Sequence, residues 1–155
     1  MIQRIQSLFL LLTSLVSILF LKGPFLTFID NSGAEIKIIY SGIFKYSLDA
    51  DPVKMGEAWP ILALILLIPL LSLFIIFLYK NRGIQILLSG ILIMMIFALI
   101  GASVVYSYLI ISKNDADFAS WYKLSVPVIQ LILSFLAYRG IKKDDDLVKS
   151  YDRLR

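Results

Sequence analysis

The chain of 155 residues contains no cysteine and no histidine. Without cysteine it cannot form a disulfide, a thiolate metal site or a CxxC redox centre. Without histidine it lacks the commonest protein ligand of transition metals and of haem iron. We therefore predict that the protein has no cofactor and no metal site.

Charged residues are also absent from four long apolar stretches. A helix needs about 20 apolar residues to cross a bilayer core, and the stretches are near that length. The sequence thus predicts an all-α integral membrane protein, a single membrane domain over residues 1–155 with a mean hydropathy of +0.87. The four predicted transmembrane helices cover about residues 5–21, 58–79, 84–112 and 122–139.

The main exposed segment lies between the first two helices, at residues 22–57. Phe25–Asp30 and Glu35–Tyr40 resemble strands and flank turn residues, which predicts a β-hairpin. Ile43–Leu48 is a candidate third strand, and residues 49–57 are interpreted as an irregular connection. The predicted outer loop is a small β insertion that rests on the ends of the helices.

The net charge is +4 and the isoelectric point is near 9.3. Basic residues concentrate at the two termini and in the Lys80–Gly83 turn, and an excess of Lys and Arg marks the cytoplasmic side of a membrane protein. This pattern predicts a multi-pass protein with both termini in the cytoplasm and residues 22–57 outside. Orientation and contact with a lipid bilayer account for the basic excess, so nucleic acid is not an expected partner.

Two features stand out inside the predicted helices. Gly83, Gly90 and Gly101 lie within about 20° of one stripe of the third helix, where they predict a groove for another helix. A crevice for lipid or a small molecule is the alternative. Gln130 shares a face of the fourth helix with Ser134 and is the most polar side chain predicted in the membrane. An interhelical hydrogen bond is its expected role, and contact with a substrate is the alternative.

The last segment, residues 140–155, is predicted to be an amphipathic cytoplasmic tail. Its apolar side chains repeat at helical spacing, and acidic residues are mixed with basic ones, which weakens a purely lipid-bound anchor. We therefore favour docking on a partner protein. The predicted docking residues are Leu147, Val148, Tyr151, Arg153, Leu154 and Arg155.

The two ends of the chain carry a family resemblance. The opening residues Met1–Ser7 (MIQRIQS) and the closing residues Arg139–Arg155 (RGIKKDDDLVKSYDRLR) resemble a family of small Bacteroidota membrane proteins, domain of unknown function 4293. The resemblance extends over the whole chain. It implies a Gram-negative inner membrane, with residues 22–57 in the periplasm, and supplies no established site residues.

Three functions remain open on these grounds. The first is a non-catalytic accessory or assembly subunit of a membrane protein complex, with a membrane protein or a second copy as its partner. The second is a small oligomeric transporter or lipid-handling protein, acting through the glycine groove and Gln130. The third is an enzyme that uses Asp49, Asp51 and Glu57 as acid and base. We favour the first and expect no enzymatic activity, because the helices lack residues for catalysis or ion conduction.

Overall fold

The computed structural model describes residues 3–20, 23–39, 41–47 and 51–153. These residues form four α-helices, a short 3₁₀ helix and five β-strands. The helices are α1 (Gln3–Phe20), α2 (Trp59–Phe77), α3 (Arg82–Asn114) and α4 (Ser125–Arg153), with the 3₁₀ helix at Trp121–Leu124. The strands are β1 (Leu26–Asp30), β2 (Glu35–Ile39), β3 (Gly42–Tyr46), β4 (Val53–Gly56) and β5 (Ala116–Phe118).

Local sequence explains where the helices begin and end. Pro60 stands in the first turn of α2, where its missing N–H costs no helical hydrogen bond. Asp115 ends α3 in the left-handed conformation, with φ of 45°. Beyond Arg139, α4 continues without a break to Arg153. Each helix packs on two others, because α1 and α3 both contact α2 and α4.

The strands form one antiparallel sheet in the order β4-β3-β2-β1-β5. Its inner face is apolar, and Phe28 of β1 lies beside its register partner Phe118 of β5, with ring centroids 5.0 Å apart. Phe28 is fully buried, as are its neighbours on the same face of β1 and β2, Leu26, Ile36 and Ile38. β5 directly follows α3 and pairs with β1, so the end of α3 holds one edge of the sheet.

The expected fold class, an all-α protein of four transmembrane helices, is wrong. The described residues contain a five-stranded sheet beside the helices, and only α2 and α3 are long and apolar enough to span a membrane. In α1 the apolar helix found within the described residues is Ile5–Ile18, which is shorter than the two candidate spans. In α4 charged residues begin at Arg139, well before the helix ends. An uncharged run of near-spanning length is therefore not enough to define a span.

The sheet is also larger than the predicted hairpin. The strands expected near residues 25–30, 35–40 and 43–48 correspond to β1, β2 and β3, within the described residues. Two further strands arise where none was predicted: β4 lies in the supposed irregular connection, and β5 follows α3. Both are very short, so neither shows the alternation that identifies a strand in sequence. Pairing with longer neighbours, β3 and β1, makes them strands.

An ion pair joins the end of β1 to β3 across the intervening strand β2. The Nζ of Lys45 lies 2.5 Å from Oδ2 of Asp30, and Ser32 donates a hydrogen bond to the same oxygen. The Lys45 ammonium lowers the pKa of the Asp30 carboxyl below its ordinary value, since a cation beside a carboxylate favours the charged form. The pair links the hairpin turn of β1 and β2 to β3.

We predict that Gly42→Ala destabilises the sheet more than Gly33→Ala does. Both glycines have positive φ, +135° at Gly42 and +79° at Gly33, but a Cβ at Gly42 would lie 2.7 Å from the backbone oxygen of Gly56. A Cβ at Gly33 meets nothing within 4 Å. We expect a loss of about 3 kcal/mol for Gly42→Ala and about 1 kcal/mol for Gly33→Ala, measured by equilibrium unfolding. Equal losses would show that β4 does not pair closely with β3 at this point.

Candidate functional site

The helices carry large apolar side chains on the outside. Their interior holds polar side chains buried among apolar ones such as Leu10, Ile68 and Leu92. The buried polar residues of the helices are Gln6, Thr13, Ser14, Ser17, Ser72, Gln85, Ser89, Ser103, Gln130, Ser134 and Asp144. Polar groups away from water need internal hydrogen-bond partners, and this interior is therefore the candidate functional region.

The Gln130 cluster, comprising Ser17, Gln130 and Ser134, lies between α1 and α4. Gln130 donates from Nε2 to Oγ of Ser17 at 2.6 Å, and this hydrogen bond is buried. The expected interhelical bond of Gln130 is thus present, with α1 as its partner helix. Two buried atoms, Oε1 of Gln130 and Oγ of Ser134, have no hydrogen-bond partner among the described residues. The cluster therefore offers unused acceptor capacity in an apolar surrounding.

The Asp144 cluster comprises Gln6, Arg82 and Asp144. It lies at the other end of the helices from the Gln130 cluster, near the start of α1 and in the later turns of α4. Gln6 donates from Nε2 to Oδ2 of Asp144 at 2.8 Å, and both side chains are buried. Arg82, at the start of α3, donates from Nη1 to the backbone oxygen of Asp144, also at 2.8 Å. Three helices thus meet at one residue of α4.

This second cluster was not predicted from the sequence. A local signal does exist, since Gly140 precedes Asp144 by one helical turn and leaves room for Gln6. A Cβ at Gly140 would lie 2.8 Å from Cγ of Gln6. The pairing of Gln6 with Asp144 joins residues far apart in the chain, so no spacing rule within one helix reveals it.

Other buried polar groups serve helix packing. Ser72 of α2 donates to the backbone oxygen of Leu10 in α1 at 2.6 Å, and Gln85 of α3 donates to the oxygen of Ile75 in α2 at 3.2 Å. Ser89 and Ser103 donate to carbonyls one turn earlier in their own helix. With these hydroxyls committed to backbone oxygens, they are poorly placed to act as nucleophiles.

The predicted glycine groove lies on the outer surface of α3. Gly83 and Gly101 are exposed and Gly90 is partly exposed, and an added Cβ at Gly90 or Gly101 would meet nothing within 4 Å. Phe97 and Val105, near the same stripe, are each 55% exposed. Among the described residues no other helix occupies the groove.

The predicted docking residues of the tail fall partly within the described structure. Leu147 and Val148 are exposed on α4, each at 42%. Tyr151 and Arg153 belong to the last turn of α4, and their side chains are not among those described. Leu154 and Arg155 lie outside the described residues.

The carboxylates of the enzyme hypothesis are not gathered in a cleft. Asp49 lies outside the described residues, Asp51 is exposed, and Glu57 accepts hydrogen bonds from Lys54 and from the indole of Trp59. Within the described ranges no three acidic side chains stand close enough to hold a metal ion. Acid and base roles need two carboxylates with different environments in one site. Asp51 and Glu57 do not form such a site.

The junction of the sheet and α4 carries a lysine with an altered pKa. Lys123 donates from Nζ to the backbone oxygen of Pro24 at 2.7 Å. Partial burial lowers the pKa of Lys123, and the nearby positive charge of Lys37 lowers it further. The bond fastens the start of α4 to the segment that leads into β1.

A shallow groove separates the sheet from the last turns of α3. Its volume is about 220 Å³, below the roughly 300 Å³ at which pockets begin to hold drug-sized ligands. The lining is mainly apolar and includes Ile36, Ile43, Met55, Tyr106 and Ile110. The groove thus gives little support to binding of a polar small molecule.

A family model described as a domain of unknown function, DUF4293, matches residues 2–154. The chain belongs to the DUF4293 family. The family expected from the terminal segments is thereby confirmed, while the bacterial group and the membrane location implied with it stay predictions. No curated protein and no solved structure matches the chain. The DUF4293 match includes both polar clusters and the glycine groove.

We predict that Gln130→Leu costs less than about 1 kcal/mol of stability, whereas Asp144→Leu costs about 2 kcal/mol. The first change removes one hydrogen bond together with an unpaired acceptor. The second leaves the buried amide of Gln6 without its partner. Equilibrium unfolding measures both losses.

Two controls separate these causes. Ser134→Ala should leave the free energy of unfolding nearly unchanged, because its Oγ has no partner within the described structure. The double variant Gln6→Leu with Asp144→Leu should recover part of the loss, since removing both partners strands neither. A large loss for Ser134→Ala would contradict this description of the Gln130 cluster.

Proposed function

We propose that this protein is a non-catalytic integral membrane protein that acts as an accessory or assembly subunit of a membrane protein complex. The large apolar side chains exposed on the helices carry the proposal. A soluble protein rarely exposes a continuous apolar surface of this kind, and such surfaces mark contact with lipid or with another protein.

The small buried fractions of the two candidate spans, α2 and α3, support the proposal. Only 33% of the spanning window of α2 and 28% of that of α3 are buried within the chain. A helix that is apolar on all sides belongs either in a protein core or in a bilayer. Because most of α2 and α3 is not covered by the protein itself, a bilayer is the environment that fits. Their outward side chains include Leu70, Phe74, Phe77, Met94 and Phe97.

The role as a subunit rests on the glycine groove. Lipid chains are as apolar as leucine, so helices in a bilayer associate through close packing, for which glycines leave room. The groove of Gly83, Gly90 and Gly101 faces outward and is not filled by any described part of the chain. A helix of a membrane protein partner, or of a second copy, fits this position.

The same proposal includes a location and an orientation. The Asp144 cluster brings the start of α1, the start of α3 and the later turns of α4 to one end of the helices. This end is rich in Lys and Arg, which supports a cytoplasmic location for it and a periplasmic location for the sheet. The resemblance to Bacteroidota proteins supports a bacterial inner membrane. Leu147 and Val148 then form a cytoplasmic docking surface.

One observation favours a second function, a small oligomeric transporter or lipid-handling protein. Oε1 of Gln130 and Oγ of Ser134 are buried without partners among the described residues, and polar atoms inside a membrane often mark a substrate path. A transporter should lose flux in Gln130→Leu while it still assembles. A structural subunit should change only in stability.

The proposed function predicts that filling the groove abolishes partner binding without affecting membrane insertion. The variant is Gly90→Leu with Gly101→Leu, and the control is Ala98→Leu, which adds one leucine on an exposed face about 60° to 80° from the two glycines. Tagged protein is expressed natively, solubilised in mild detergent and analysed by mass spectrometry for stoichiometric partners. We expect the glycine variant to retain at most about a tenth of the partner that wild-type protein retains, as for a disrupted interface core.

Carbonate extraction tests the membrane part of the proposal separately. Wild-type protein and both variants should stay in the membrane pellet and enter solution only with detergent. Wild-type protein released by carbonate would overturn membrane integration. A partner retained equally by the glycine variant and the control would overturn the groove as the interface, and a lone oligomer with bound lipid would favour lipid handling.

A further inference from the structure

The charged segment that follows the apolar part of α4 is more basic on its outer face than its sequence implies. Residues 139–146 read RGIKKDDD, with three basic residues followed by three acidic ones. Along the sequence these charges balance. The helix, however, distributes them over different faces, and the structure shows where each is directed.

Two of the three carboxylates are withdrawn from the outer face. Asp144 is 8% exposed and accepts its hydrogen bond from Gln6 in the interior. Asp145 is paired with Lys149 one turn later, with 2.5 Å between Oδ2 and Nζ. Only Asp146 remains on the outer face beside the basic residues.

The three basic side chains have no such partners among the residues that the structure describes. Arg139, Lys142 and Lys143 are exposed and line one shallow depression together with Asp146, Leu147 and Ser150. Within the described part of the chain, none of the three forms an ion pair. The outer face therefore carries three uncompensated cations against one carboxylate.

The same face is apolar immediately before this point. Val128, Ile132 and Phe135 are about half exposed, and at spacings of three and four residues their stripe leads directly to Arg139. A surface that changes from apolar to cationic along one helix matches the change from acyl chains to headgroups at the edge of a bilayer.

We propose that Arg139, Lys142 and Lys143 form a binding site for the headgroup of an anionic phospholipid. The site rests on the membrane location proposed above. Arg139 can donate two parallel hydrogen bonds to phosphate oxygens, and the two lysines supply compact positive charges one turn later. Asp146 lies in the same depression and repels the phosphate, so only the three basic side chains bind it. Acyl chains of the bound lipid would lie along Val128, Ile132 and Phe135.

Native mass spectrometry of the purified full-length protein tests the site. Protein in neutral detergent is mixed with equal amounts of phosphatidylglycerol and phosphatidylcholine, and the retained lipids are counted. Wild-type protein should retain phosphatidylglycerol with a preference of about tenfold, and the variant R139Q/K142Q/K143Q should lose this preference. The matched control K37Q/K54Q/K113Q removes the same amount of charge at the sheet end and should keep the preference for phosphatidylglycerol.

Two further variants exclude a fault in folding. R139K/K142R/K143R keeps the charges and should keep most of the preference. Asp146→Asn removes the opposing carboxylate and should raise the preference about twofold. A triple glutamine variant that remains folded and still prefers phosphatidylglycerol would overturn the site.

The remaining outcomes separate this site from the proposed function. Wild-type protein released from membranes by carbonate would refute the membrane location, and the lipid site with it. Protein that stays in the membrane but binds both lipids equally would overturn the site alone. If the triple glutamine variant loses a bound protein but keeps its lipid preference, the surface belongs to a protein partner and the lipid assignment is wrong.

Discussion

The arrangement of the molecule depends on two buried hydrogen bonds between α1 and α4. Gln130 donates to Ser17 near the sheet, and Gln6 donates to Asp144 at the basic end. The two contacts are about 16 Å apart along α1. Sliding or rotating either helix would strand both amides, and an unpaired buried amide costs about 2 kcal/mol. These bonds therefore select one register from the many that apolar packing alone would allow.

That register determines what each helix presents to its surroundings. With Asp144 directed inward, the opposite face of α4 carries Arg139 and its neighbouring lysines, and the apolar stripe before them faces outward. Contacts of α3 with α2 and α4 turn Ser89 and Ser103 inward and leave the glycines outside. The buried polar contacts and the exposed glycine and cationic faces are two consequences of the same packing.

The sheet illustrates the difference between local and long-range information. β1 and β2 are adjacent in the chain and joined by a turn, so alternation and turn residues predict their pairing. β5 pairs with β1 from the far side of α2 and α3, and its three residues contain no strand pattern of their own. Only the position of α3 brings them together, and a hairpin therefore becomes a five-stranded sheet.

The sequence alone determined roughly where the four helices begin, where the first three strands lie, the glycine stripe of α3 and the interhelical hydrogen bond of Gln130, because helical and strand periodicity depend on near neighbours. Tertiary structure decided which faces of the helices are buried. It also decided that Gln6 pairs with Asp144, that the glycine stripe faces outward and that the three aspartates of α4 have separate environments. These outcomes depend on which helix faces lie against each other, and that contact between distant residues leaves no periodic signal in the chain.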